Sequence, residues 1–102
     1  MSQNGTKKPL FDLGRIVATP GALEALQAAG QQPYEFLARH VTGDWGDLDD
    51  EDRSLNDTAM RDGSRILSAY QTRNGERLWI ITEAADDHGR RYSSMLLLPS
   101  EY

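Results

Sequence analysis

The sequence predicts an α+β fold, in which three short N-terminal helices pack on one face of a three-stranded antiparallel β-meander. Helix start and stop signals occur between residues 19 and 63 of the 102-residue chain, and β-rich runs around an Asn-Gly turn follow them. Residues 1–9 are polar with Gly and Pro, so we expect a disordered tail there. Residues 10–102 are expected to form a single domain.

Each predicted helix begins at a capping residue and ends at a glycine. Thr19-Pro20 begins the first and Gln32-Pro33 the second, because proline suits the first helical position. The third runs from Asp49 to Asp62, with its acidic first turn favoured by the helix dipole. Leu55, Ala59 and Met60 are expected to form its buried stripe.

Three runs predict the strands of the meander, at residues 64–71, 76–83 and 91–98. If Asn74 and Gly75 are the two turn residues of a hairpin, Tyr70 faces Trp79; a three-residue loop would break this register. The helices should then meet the face that holds Leu67, Ala69, Leu78, Ile80 and Thr82. Residues 14–19 are either a further strand or an extended lead-in.

The composition sets bounds on function. There is no cysteine, so a disulfide framework and a thiolate metal site are excluded, and no motif indicates a cofactor. The longest apolar runs are far shorter than a membrane span, and cytoplasm is the expected location. Eight acidic and two basic residues give residues 44–62 a net charge of −6, against −5 for the whole chain. This acidic segment argues against general nucleic-acid affinity and favours a basic protein partner.

The leading hypothesis is a non-catalytic accessory protein that binds a partner protein through this acidic turn and helix start. The candidate binding residues are Asp44, Trp45, Asp47, Asp49 and Asp50. A tryptophan beside carboxylates would form a partner-binding surface if it were exposed. The structural alternative is that Trp45 is buried and anchors a glycine-flanked turn, while the carboxylates cap the next helix.

A metal site is not predicted. Asp47, Asp49 and Glu51 alternate as in a calcium loop, but Asp52 stands where that loop needs Gly and Thr58 where it needs Glu. His40 and Asp44 form a conceivable pair, yet no second histidine pattern supports them.

The alternative hypothesis is a small metal-independent RNase-like enzyme. Such an enzyme needs a general acid or base, polar groups that position a phosphate, and a cation such as Arg65 or Arg91. The candidate catalytic residues are His40, Ser68, Tyr70 and Thr82. The structural alternative for the histidine is a hydrogen bond at a helix end, to Asp44 or to a backbone carbonyl.

Five segments carry a family resemblance: LGRIVATPGALEAL, FLARHVTGDWGDLDDED, RILSAY, WIITEA and LLLPSEY. The chain resembles, over nearly its whole length, a family of small, mostly uncharacterised bacterial proteins of plasmids and other mobile elements. Members are sometimes labelled plasmid-related proteins or a type I restriction methyltransferase subunit. The chain is too short for a methyltransferase domain and lacks its Gly-rich loop, so the resemblance implies a bacterial, mobile-DNA setting and no specific activity.

Overall fold

A computed structural model describes residues 8–102, and most of the predicted N-terminal tail lies outside that range. The described chain contains three α-helices, four strands and a C-terminal 3₁₀ helix. In chain order they are β1 (Arg15–Ala18), α1 (Pro20–Ala29), α2 (Pro33–Val41), α3 (Asp50–Asp62), β2 (Ile66–Gln71), β3 (Arg77–Thr82), β4 (Ser93–Leu97) and the 3₁₀ helix η1 (Pro99–Glu101). The α+β class is therefore confirmed.

The sheet has four strands rather than the three that the sequence predicts. Their order is β1-β4-β3-β2, and β1 pairs with β4 in parallel while the other pairs are antiparallel. The prediction of a three-stranded antiparallel meander is wrong because β1 finds its partner at the far end of the chain. A four-residue run has too little periodicity to reveal such a distant parallel pairing.

The predicted β2–β3 register is also wrong, by one residue. Tyr70 lies opposite Leu78, not Trp79. The loop has three residues rather than two, since Thr72 N–H donates to the Glu76 carbonyl at 2.8 Å and Gly75 takes a left-handed φ of 85°. A type I turn followed by a left-handed glycine is the usual three-residue hairpin loop.

The corrected register changes which side chains share a face of the sheet. The face covered by the helices, here called the helix face, holds Ile66, Ser68, Tyr70, Leu78, Ile80, Thr82, Ser94 and Leu96. Trp79 lies on the other side, here called the open face, with Val17, Leu67, Ala69, Ile81, Met95 and Leu97. Ala69, Ile81 and Leu97 are nevertheless buried there. Ser68 and Tyr70 therefore point toward the helices, which the predicted register did not allow.

The boundaries of α1 and α3 follow the capping signals closely, whereas α2 ends at Val41 with Thr42, and not the predicted glycine, as its C-cap. Thr19 accepts from Ala22 N–H at 3.1 Å before α1, and Asp49 accepts from Asp52 N–H at 2.9 Å before α3. One prediction for α3 is wrong, because Leu55 is 63% exposed and its neighbour Asn56 is buried instead. The buried stripe of α3 includes this polar residue, so hydropathy alone placed it incorrectly.

The core lies between the helices and the helix face. One cluster joins residues of α1 and α2 to the sheet centre; it contains Ala22, Leu26, Phe36, Leu37, Tyr70, Leu78, Ile80 and Leu96. A second cluster joins Trp45, Ala59 and Ile66 under α3. Of the helices within residues 8–102, none is long and apolar enough to cross a membrane.

Candidate functional site

His40 joins the last turn of α2 to the sheet through two side-chain hydrogen bonds. Its Nδ1 lies 2.6 Å from Ser68 Oγ, and its Nε2 lies 2.8 Å from Thr82 Oγ1. The chain of bonds continues from Thr82 to Ser94 Oγ at 2.6 Å and from Ser94 to the Leu13 carbonyl at 2.7 Å. The structure thus brings together three of the four candidate catalytic residues.

The Leu13 carbonyl at the end of this series of hydrogen bonds determines which group is the donor in each bond up to the His40 ring. Ser94 must donate to the Leu13 carbonyl, which can only accept, so Ser94 accepts from Thr82. Thr82 has then used its single proton and accepts from Nε2–H of His40. Because the low pKa of His40 keeps the ring neutral, its Nδ1 carries no proton and accepts from Ser68.

The surroundings of His40 keep the ring neutral. The side chain is 0% exposed, and burial together with the positive charge of Arg91 lowers the pKa of His40 from 6.5 to about 4. The rings of Phe11 and Trp45 pack edge-on against it, with centroids 5.2 and 6.0 Å away. A substrate has no path to either nitrogen in this arrangement, so the geometry favours a structural role of His40 over the RNase-like hypothesis. The predicted partners of that structural role were wrong, because His40 bonds to Ser68 and Thr82 and not to Asp44 or a backbone carbonyl.

Tyr70, the fourth candidate catalytic residue, contacts the turn after α2. Its hydroxyl donates to the Asp44 carbonyl at 2.6 Å, and its ring lies 4.5 Å from the Arg39 guanidinium carbon. Its hydroxyl also interacts with the side chain of Ser68, so Tyr70 ties β2 to the turn after α2 and borders the His40 network.

Trp45 is buried, with 4% of its surface exposed. Its N–H lies 3.4 Å from Asp57 Oδ1, and its ring packs against Phe11 and His40. The following Gly46 has a φ of 76°, and a Cβ there would overlap the Ala69 carbonyl. Trp45 anchors the turn to β2 and presents no binding surface, so the structural alternative holds for this residue.

Two of the candidate binding carboxylates already form an ion pair or hydrogen bonds within the chain. Asp44 forms an ion pair with Arg39 at 2.7 Å and accepts from Gly46 N–H at 3.1 Å. This bond raises the pKa of Arg39. Asp49 is the N-cap of α3. Asp47 and Asp50 have exposed side chains and remain available to a partner.

A groove lies where α3 meets the β2 edge of the sheet, and the sequence analysis did not identify it. Its volume is about 360 Å³, and Leu48, Leu55 and Leu67 provide its apolar lining. Asp52 and Asp62 lie on the α3 side. Leu55 is 63% exposed, and together with Leu48 and Leu67 it forms one apolar patch rather than a single exposed leucine.

Hydropathy in the sequence does not locate this groove. In DEDRSLNDTAMRD, Leu55 stands directly between the polar residues Ser54 and Asn56, and only one helical face can be buried. If Asn56 and Ala59 share the buried face, Leu55 must turn outward by about 100°. The choice between the two faces depends on the hydrogen bonds of Asn56 with β2, which hydropathy cannot show.

The chain matches no family model, no curated protein and no solved structure. Among residues 8–102, no group of three or more His, Asp or Glu side chains is arranged to hold a metal ion. The class defined by fold and geometry is accordingly a small α+β protein with a buried histidine network and an acidic, leucine-lined groove.

Proposed function

We propose that this protein is an accessory protein of a mobile element, and that it binds a basic, leucine-containing segment of a partner protein in the groove between α3 and β2. The single observation that carries this proposal is the exposed Leu55 at a groove lined by Leu48 and Leu67. The mobile-element setting comes from the resemblance of the sequence segments. The acidic surface predicted from sequence is retained, but its apolar centre is Leu55 and not Trp45.

Charge complementarity argues for a basic occupant. Asp50, Glu51 and Asp52 form the first turn of α3, and Asp62 lies in its last turn. The groove lining itself carries two carboxylates, Asp52 and Asp62, and one cation, Arg65, whose guanidinium donates to the Tyr102 hydroxyl at 2.6 Å. Lys and Arg side chains of a partner would therefore meet carboxylates on the groove side of α3.

The leucines supply affinity and the carboxylates supply orientation. Burying an exposed leucine on binding contributes about 1.5 kcal/mol or more to the free energy of binding, which corresponds to roughly a tenfold change in affinity. Exposed ion pairs contribute about 0–1 kcal/mol each and weaken with salt. Loss of the Leu55 contact should consequently weaken binding more than loss of any one carboxylate.

A labelled peptide of lysines and leucines tests the proposal by fluorescence anisotropy, with a lysine/serine peptide of the same length as its counterpart. Leu55→Ser should weaken binding of the lysine/leucine peptide about tenfold. Asp52→Asn should weaken it less and reduce its salt dependence. Leu23→Ser is the matched control, because Leu23 is also half-exposed on a helix, at 50%, but lies on α1.

Two results would contradict the proposal. One is equal binding of the two peptides, which would indicate attraction to net negative charge alone. The other is an equal effect of Leu55→Ser and Leu23→Ser, which would show that the groove has no special role. Urea unfolding of both variants checks that each remains folded in the assay.

A further inference from the structure

The two edges of the sheet differ in how they are protected. At the β2 edge, Ala69 exchanges backbone hydrogen bonds with the turn, from Asp47 N–H at 2.7 Å and to the Trp45 carbonyl at 3.1 Å. The side chain of Asn56 completes this cover, because its amide pairs with both the N–H and the carbonyl of Leu67. Covering of this kind prevents an edge strand from pairing with another chain.

The β1 edge has no such cover within the described chain. In the parallel ladder, Arg15 N–H donates to the Tyr92 carbonyl and Thr19 N–H donates to the Leu96 carbonyl. Because the backbone groups of successive residues point to opposite sides of a strand, the N–H and carbonyl groups of Ile16 and Ala18 face away from β4. No side chain or backbone group of residues 8–102 bonds to these outward groups, and Ile16 and Val17 are 43% and 37% exposed.

These outward groups match a second copy of the same strand. If two β1 strands run antiparallel about a two-fold axis at Val17, Ile16 lies opposite Ala18 of the other copy and both residues exchange hydrogen bonds. The two Val17 side chains then meet at the axis on the open face, and Ile16 meets Ala18 on the helix face. No Lys or Pro on β1 opposes this pairing.

Charge complementarity supports the same arrangement. The two-fold axis places Arg15 opposite Thr19 of the second copy, on the open-face side of both strands. The Thr19 hydroxyl is bonded to Glu101 at 2.5 Å, so the Glu101 carboxylate lies at that position. Arg15 has an exposed side chain without a hydrogen-bond partner among residues 8–102, and it would meet this carboxylate twice in the symmetric pair.

We propose that the β1 edge is a dimerisation surface, at which two copies of this chain join their sheets about Val17 into one continuous sheet of eight strands. The surface is separate from the groove of the proposed function, which lies at the opposite edge of the sheet. A dimer would therefore display two grooves, one at each end of the joined sheet.

A single cysteine provides a direct test, since the chain has none of its own. Opposed residues of a non-hydrogen-bonded antiparallel pair have Cα atoms about 4.5 Å apart, within disulfide range. Val17→Cys should therefore form a covalent dimer under mild oxidation. The rate of disulfide formation should depend less on protein concentration than it would for molecules that meet by random collision. Leu23→Cys is the matched control, because Leu23 is more exposed than Val17, at 50% against 37%, but lies on α1, and this variant should remain largely monomeric.

Light scattering after size exclusion gives the second test. The wild-type chain should have twice the mass of a monomer, and Ile16→Pro should be monomeric, because it removes an N–H that faces away from β4. Arg15→Glu should weaken the dimer, whereas Arg15→Lys, which keeps the positive charge, should preserve it. A wild-type monomer at all concentrations, or a dimer unaffected by Ile16→Pro with equal oxidation of the two cysteine variants, would overturn the proposal.

Discussion

Acidification should destabilise this protein through His40, well above the pH at which carboxylates protonate. The neutral imidazole accepts from Ser68 and donates to Thr82, so an added proton on Nδ1 would oppose the Ser68 hydroxyl. Burial lowers the pKa of His40 to about 4, whereas an unfolded chain has the ordinary value of 6.5. The unfolded state therefore binds the proton first as the pH falls, and stability decreases with pH in that window.

The magnitude follows from these two pKa values. The contribution of His40 is fully present above pH 6.5 and is lost as the pH falls toward 4. The complete loss is about 3 kcal/mol, and about 2 kcal/mol of it occurs between pH 7 and pH 5. That is a large part of the stability of a small domain, which is about 5–15 kcal/mol.

Urea unfolding followed by tryptophan fluorescence measures this loss. The midpoint should fall by roughly 1–2 M between pH 7 and pH 5 for the wild-type protein. His40→Gln should be less stable at pH 7 and should lose most of the pH dependence, whereas His88→Gln, in the exposed β3–β4 loop, should retain it. An NMR titration of the His40 ring gives a second readout in the intact protein. Titration of that ring near 6.5, or a wild-type midpoint that is unchanged at pH 5, would refute the reasoning.

Three further substitutions test how the fold is held together, each by urea unfolding. Gly46→Ala should lower the free energy of unfolding by well over the roughly 1–2 kcal/mol that a left-handed alanine costs, because its Cβ would also overlap a β2 carbonyl. Gly89→Ala, where a Cβ meets open space, should lower it by about 1–2 kcal/mol only. Equal losses for the two variants would contradict the close contact at Gly46. Arg91→Met should cost about 3 kcal/mol, because its guanidinium donates to three backbone carbonyls, and the exposed Arg90→Met should change stability by less than about 0.5 kcal/mol. Asn56→Leu should cost about 2 kcal/mol and speed hydrogen exchange at the β2 amide it caps; unchanged exchange would show that the edge is protected otherwise.

The parts of the fold that depend on local chemistry could be predicted from the sequence. Thr19 and Asp49 cap helices by bonds that span three residues, and proline and glycine restrict the backbone where they stand. The β2–β3 register failed for a local reason, since a two-residue and a three-residue loop both place Gly75 in the left-handed region.

The parts that depend on distant partners could not be predicted. β1 pairs with a strand 78 residues later in the chain, and nothing within Arg15–Ala18 specifies that partner. His40 was identified as a candidate together with Ser68 and Thr82, but its burial depends on Phe11 and Trp45, which arrive from separate segments. The groove was missed because the buried face of α3 is chosen by a side-chain hydrogen bond and not by hydropathy.

The most direct test of the central claim is an NMR titration of the isotope-labelled protein with the lysine/leucine peptide. Saturable shifts of the backbone amides should be largest at Leu48, Leu55 and Leu67 and should disappear with the lysine/serine peptide. Shifts spread evenly over the exposed carboxylates, or concentrated away from α3 and β2, would contradict the claim that this groove is the binding site.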